Sequence, residues 1–107
     1  MTMTGEFGRT ESRLIAVTRY RVPATETATF VEQAGVALRA LRACQGHLNG
    51  HLGRSTDEPG LWVLATEWEG AGFYRRALGA YEVRLSVIPL SALAIDEPGA
   101  YELMRTE

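Results

Sequence analysis

The stretch Leu61-Trp62-Val63-Leu64-Ala65-Thr66-Glu67-Trp68-Glu69, with Pro59-Gly60 before it and Gly70 after it, decides the fold. Strand side chains alternate between the two faces of a sheet. As a strand, this stretch puts Trp62, Leu64, Thr66 and Trp68 on one face and Val63, Ala65, Glu67 and Glu69 on the other. Neither set is polar enough to face water along its whole length. Helices on one side of a small sheet cover that side only. The second apolar face therefore predicts a further contact, most simply with another copy of the chain.

Upstream, residues 13–22 alternate in the same way, with Leu14, Ala16, Thr18, Tyr20 and Val22 on one face and Ile15, Val17, Arg19 and Arg21 on the other. Pro23 stops this strand, because proline cannot donate to a sheet ladder. Thr25 reads as a helix N-cap, and Glu26 suits the positive end of the helix dipole. Phe30, Ala34, Ala37, Leu38, Leu41 and Cys44 then recur at three- and four-residue spacing, the apolar stripe of an amphipathic helix. Gly46 reads as the left-handed residue after the helix end. A second strand follows, with Leu48, Gly50 and Leu52 on one face and His47, Asn49 and His51 on the other. Pro59 and Gly60 fit the middle of a type II turn, which predicts a hairpin.

Downstream, Gly70-Ala71-Gly72 opens a short helix that runs to about Leu78 and is broken by Gly79. Residues 81–87 predict one or two further helical turns, ended by Pro89. Residues 91–96 read as the last strand, Glu97-Pro98-Gly99 as a turn, and residues 101–104 as a short apolar tail suited to lying on a partner. The order strand, helix, strand, strand, helix, strand predicts a ferredoxin-like α+β sandwich: a four-stranded antiparallel sheet with its helices on one face.

Composition narrows the function classes. A chain of 107 residues fits one domain, and 46% hydrophobic residues is ordinary for a globular one. Residues 1–12 read as a flexible tail, poor as a signal peptide, and residues 13–107 as the single domain. The net charge of -2, with the arginines scattered and no lysine, argues against nucleic acid as the main partner. No apolar run approaches the roughly 20 residues that span a bilayer. Cys44 is the lone cysteine, so no disulfide forms within the chain, and a reduced cytoplasmic compartment is the expectation.

With these elements in place, the chain resembles the antibiotic biosynthesis monooxygenase family. The residues that carry the resemblance are the Leu61 to Glu69 strand with Phe73-Tyr74-Arg75-Arg76-Ala77-Leu78 after it, Arg19-Tyr20-Arg21-Val22-Pro23, Gly46-His47-Leu48, Ala94-Ile95-Asp96-Glu97-Pro98 and Tyr101-Glu102. The resemblance implies a homodimeric α+β barrel in which two sheets face each other. It also implies oxidation of a phenolic, quinol or aromatic polyketide substrate by molecular oxygen, with no flavin, heme or metal. Other family members bind ligands without catalysis or isomerise them, and those two readings stay open beside the oxygenase.

The resemblance places Trp68, Tyr74 and Arg84 as catalytic residues: a pocket wall, a hydroxyl for the substrate oxygen, and a cation for a substrate anion. Each also has a plainer reading, as a core indole, an amphipathic-helix tyrosine and a solvent-facing arginine. Parity adds Thr18, Tyr20, Trp62, Leu64 and Thr66 as substrate-binding residues on the helix-covered face, with Ala16, Ala34 and Ala37 small enough to leave room for a cavity. Leu64 stands where the polyketide-oxidising branch has an asparagine, so a polar hook is missing. Thr18 stands where the heme-degrading branch needs an asparagine, and no histidine follows His51, which sets heme degradation aside. His47 and His51, read on one strand face with Asn49, offer a base near neutral pH or simply a polar face. Gly70-Ala71-Gly72 lacks the third glycine of a dinucleotide loop and reads as turn chemistry. Cys44 reads as a small core residue.

Overall fold

Alternating burial along the central strand shapes the whole molecule. The structure, a computed structural model, describes residues 12–107; the expected tail lies almost entirely outside them. Strand β1 spans Leu14–Arg21, helix α1 Thr27–Arg42, β2 His47–Arg54, β3 Leu61–Trp68, α2 Ala71–Gly79, α3 Tyr81–Ser91 and β4 Ala100–Glu102. The four strands form one antiparallel sheet in the order β2-β3-β1-β4, the ferredoxin-like topology. Leu14 pairs with Trp68 and Arg21 with Leu61, so the two most apolar strands lie side by side through the middle.

The helices cover the face that carries Leu14, Ala16, Tyr20, Trp62, Leu64, Thr66 and Trp68, and all seven are buried. The stripe expected on α1 supplies Phe30, Ala34, Ala37 and Leu41 to this core, and α3 supplies Val83 and Leu90. On the opposite face Ile15, Val17, Val63 and Ala65 are covered only by their sheet neighbours and remain half-buried.

The structure revises the expected helix boundaries. Thr25 does not cap α1: Ala24–Glu26 forms a 3-10 turn, closed by Glu26 N donating to Pro23 O at 2.8 Å, and α1 begins after it without a side-chain cap. Pro89 does not end the last helix. It lies inside α3, where it and Leu85 are exposed, so the carbonyl it leaves without a donor is near water. The break between α2 and α3 falls at Ala80, which is extended.

The edge of the sheet is also revised. Residues 91–96 are not the fourth strand. They make a single bridge from Ala94 to Tyr20, flanked by Arg21 N to Leu93 O and Ile95 N to Arg19 O. Glu97-Pro98-Gly99 then bends the chain, held by two hydrogen bonds from Arg19 to the Glu97 carboxylate at 2.7 and 2.8 Å. The paired strand is β4, against Leu14–Ala16, formed from residues that read as a tail. Proline has no N–H to donate, so the β1 edge is occupied in two pieces on either side of Pro98. Pro59 and Gly60 do sit in the middle of a turn, closed by Leu61 N to Glu58 O at 2.9 Å. Among the described residues only Gly46 has a positive φ, so that turn is not type II.

The largest revision concerns β2. His47 pairs with Trp68, yet Asn49 pairs with Glu67, so one residue is bulged out between them. A bulge shifts the face of every side chain on one side of it. His47 therefore joins Gly50 and Leu52 on the helix-covered face, while Asn49 and His51 stay on the open one. Asn49 Nδ2 donates to the Glu67 carboxylate there at 3.0 Å.

Candidate functional site

Between the helices and the sheet the packing leaves a cavity of about 60 Å³. The sheet lines it with Ala16, Thr18 and Tyr20 from β1 and Leu64 and Thr66 from β3; Ala37 and Leu41 come from α1, Tyr74 and Leu78 from α2, and Val87 and Leu90 from α3. The small side chains at Ala16 and Ala37 open this space, as their positions predicted; Ala34 is fully buried elsewhere in the core. The lining is apolar apart from four hydroxyls, those of Thr18, Tyr20, Thr66 and Tyr74. About 150 Å³ is the scale of a void that holds benzene. An aromatic ring therefore enters only if helix and sheet move apart, whereas one or two waters fit as the cavity stands.

Five of the eight site residues read from the sequence meet at this cavity: Thr18, Tyr20, Leu64, Thr66 and Tyr74. Trp68 stands behind it rather than in its wall. Its indole is fully buried, its Nε1 donates to Thr66 Oγ1 at 2.8 Å, and its ring meets Tyr74 at a centroid distance of 5.7 Å. It thus fixes the orientation of two lining residues at once. Trp62 lies further along β3, edge-on to Phe30 at 5.5 Å, with the Arg54 guanidinium 4.8 Å from its ring centre and its buried Nε1 unpaired. Phe30 also meets Tyr20 at 5.2 Å, so these three rings form one aromatic cluster at that end of the sheet. Arg84 is exposed on α3 and takes no part in the lining.

Electrostatics set what the hydroxyls can do. Burial raises the ionisation point of Tyr74 and of Tyr20, for Tyr20 with some opposition from the Thr18 hydroxyl. Both phenols therefore stay protonated at neutral pH and act as hydrogen-bond donors rather than bases. Neither histidine reaches the cavity: His51 faces the open side, and His47 packs edge-on against Trp68 at 5.1 Å and is not among the lining residues.

Burial, and then the charge of Arg42, lowers the ionisation point of His47. Its imidazole is expected to titrate below the ordinary value of about 6.5, as read by NMR of the ring protons; a midpoint at or above that value would mean the ring is solvated. The unfolded chain then binds the proton more readily. The contribution of His47 to stability is full above about 6.5 and is lost as pH falls toward the folded-state midpoint.

Sequence reasoning missed the aromatic cluster and the position of His47. The bulge before Asn49 left no mark in residue type. Leu38, next to Ala37 on the same stripe, turns away from the cavity toward Gly50 on β2.

The described architecture is shared with known proteins. The family model for the antibiotic biosynthesis monooxygenases matches residues 13–81. The chain belongs to that family. Among solved structures, a mutant of SnoaB, a cofactor-independent oxygenase from Streptomyces nogalater, superposes with a TM-score of 0.79 at 22% identity, covering 89% of this chain and 96% of that one. A protein from Deinococcus radiodurans assigned to the same family gives 0.76 at 20% identity, covering 88% and 95%. A conserved protein from Methanosarcina mazei gives 0.75 at 12% identity, covering 90% and 97%. At these identities the likeness is one of fold. No curated protein matches the chain in sequence. No helix among the described residues is long and apolar enough to cross a membrane.

Proposed function

We propose that the chain is a cofactor-independent monooxygenase of a phenolic, quinol or aromatic polyketide substrate, working as a homodimer. The observation that carries this reading is the cavity between helices and sheet, whose few polar groups are protonated hydroxyls on an apolar wall. In oxidation of this kind the substrate supplies the electrons. The cavity lining holds no base, so the phenol gives its proton to water, and the resulting anion is the reductant. If a methylene of the substrate becomes a carbonyl, one atom of dioxygen enters that carbonyl and the other leaves as water with the two displaced hydrogens. The protein must then hold the phenolate, stabilise its charge and keep bulk water out. Tyr74 and Tyr20 are suited to donate to the phenolate oxygen, and Leu41, Leu64, Val87 and Leu90 to exclude water. Arg84 faces solvent and has no role in this scheme.

Oxygen uptake on adding an anthrone or a simple naphthoquinol is the direct test, with no added flavin, heme or metal. Binding without oxygen consumption would turn the reading to a sequestering protein, and rearrangement of the ligand without it to an isomerase. Tyr74→Phe keeps the ring against Trp68 and removes the donor. It is expected to lower kcat by about tenfold or more while KM changes little, since the bond matters most where charge develops. A raised KM with kcat unchanged would place Tyr74 in binding alone.

The open sheet face supports the dimer. Leaving Ile15, Val17, Val63 and Ala65 against water forgoes about 25 cal/mol for each Å² of apolar surface. Facing a second sheet covers them. Sedimentation equilibrium at micromolar concentration is expected to give twice the chain mass, and Val63→Asp to halve it; a monomeric parent protein would remove the proposal.

A further inference from the structure

A second pocket, of about 220 Å³, lies where the end of α1 meets β2. Its lining is Leu38, Arg39, Arg42, His47 and Gly50, so no residue is shared with the cavity described above. Three features distinguish it from an ordinary surface dent. First, His47 Nε2 is buried without a hydrogen-bond partner, and a buried polar atom left unpaired is costly. The β-bulge turns that ring to the helix side, where it stands against Gly50: a Cβ at Gly50 would lie 3.3 Å from His47 Nε2 and 3.1 Å from Leu38 Cδ2. Second, among the described residues neither Arg39 nor Arg42 has a carboxylate within salt-bridge distance, although four other arginines do. Third, the walls between these polar groups are the Leu38 side chain, the aliphatic stems of the arginines and the bare backbone of Gly50.

We infer that this pocket binds a small aromatic carboxylate, its ring resting on Leu38 and Gly50 and its acid group on the Arg42 guanidinium, where a small turn of the His47 ring brings Nε2 to the acid. The volume suits the class, since a void of about 150 Å³ takes benzene. Arg42 is the cation whose charge acts on the imidazole. Arg39 lies back along the helix over Gly35 and contributes stem and charge at the rim. A guanidinium and an imidazole N–H are the donors a carboxylate accepts from most strongly. The pocket is on the helix-covered side of the sheet and stays open when the other face meets a second copy.

The chain has two histidines, which makes the test direct. Benzoate is titrated into the full-length protein while the ring protons of both are followed by NMR. The expected result is a saturable shift of His47, with His51, on the opposite sheet face, unmoved. Benzyl alcohol, which has the ring without the charge, is expected to give no saturation, and inorganic phosphate a weaker effect than benzoate. Arg42→Gln is expected to weaken benzoate binding by about tenfold or more; because Arg42 is exposed, its amide spectrum should otherwise match the parent. An unmoved His47, a shift confined to His51, or an Arg42→Gln protein that binds as well as the parent would overturn the assignment. Phosphate acting as strongly as benzoate would overturn the aromatic class.

Discussion

Gly46→Ala is expected to leave the chain largely unfolded, or folded with most of its stability gone. Gly46 has φ of 88°, a conformation that costs a non-glycine residue about 1–2 kcal/mol. The steric cost is greater. A Cβ at this position would fall within the Phe73 side chain, 2.6 Å from Cδ1 and closer still to its Cβ and Cγ. Rotating the ring does not relieve a clash at its root, so the start of α2 must move. The same segment is tied down by Glu69 N donating to Gly46 O at 2.8 Å. Overpacking of this kind costs about 1–3 kcal/mol or more. Backbone strain and clash together remove a large part of the roughly 5–15 kcal/mol that holds a domain of this size. Urea denaturation checks it, with Gly79→Ala as the control: a Cβ there meets nothing within 4 Å, and stability should hold or rise. In the Gly46→Ala background, Phe73→Ala should recover only part of the loss, because it removes the contacts with Cγ and Cδ1 but keeps the Phe73 Cβ and leaves the backbone strain. A Gly46→Ala protein with an unchanged midpoint would mean that α2 does not pack on this loop as described.

Trp68→Ala is expected to cost about 3–5 kcal/mol. The indole is fully buried, filling the space between His47 and Tyr74 and bonding to Thr66. Removing it opens a void at the end of β3 and frees Thr66 Oγ1 inside the core. Trp68→Phe separates the two effects. It retains an aromatic ring and loses the hydrogen bond, worth about 1 kcal/mol. If the cavity is a working site, both variants lose aromatic ligand binding or turnover, because Thr66 and Tyr74 are no longer held. The Phe variant does so while still folded, as read by far-UV circular dichroism alongside the ligand titration. Trp68→Ala with the stability of the parent would place the indole outside the core.

His47 shows where residue types run out. Taken alone, the run His47-Leu48-Asn49-Gly50-His51 alternates without a break, and its parity places both histidines together. The bulge that separates them is a property of how this strand pairs with β3, a partner distant along the chain. One residue of slip turns His47 from the open face to the helix face, where burial and Arg42 keep it neutral. The edge of the sheet gives the same lesson. Residues 91–96 carry a strand-like composition, but an edge strand forms where donors and acceptors meet β1, and Pro98 divides that edge between Ala94 and β4. Leu38 and Ala37 are neighbours on one helical stripe, and only the crossing of α1 over the sheet sends them to different pockets.

What the sequence determined by itself was the architecture and most of one surface. Alternation in β1 and β3 is a local property, written in consecutive residues, and it assigned Thr18, Tyr20, Leu64 and Thr66 to the helix-covered face without any knowledge of packing. The resemblance brought Tyr74 to the same cavity. What only the tertiary structure decided was the size of that cavity, the place of Trp68 behind its wall, the exposure of Arg84 and the existence of a second pocket around His47. Each of these depends on distances between elements far apart in the chain. Such distances are set by how side chains of given volume fill the space between helix and sheet, and by the register of the ladder beneath them.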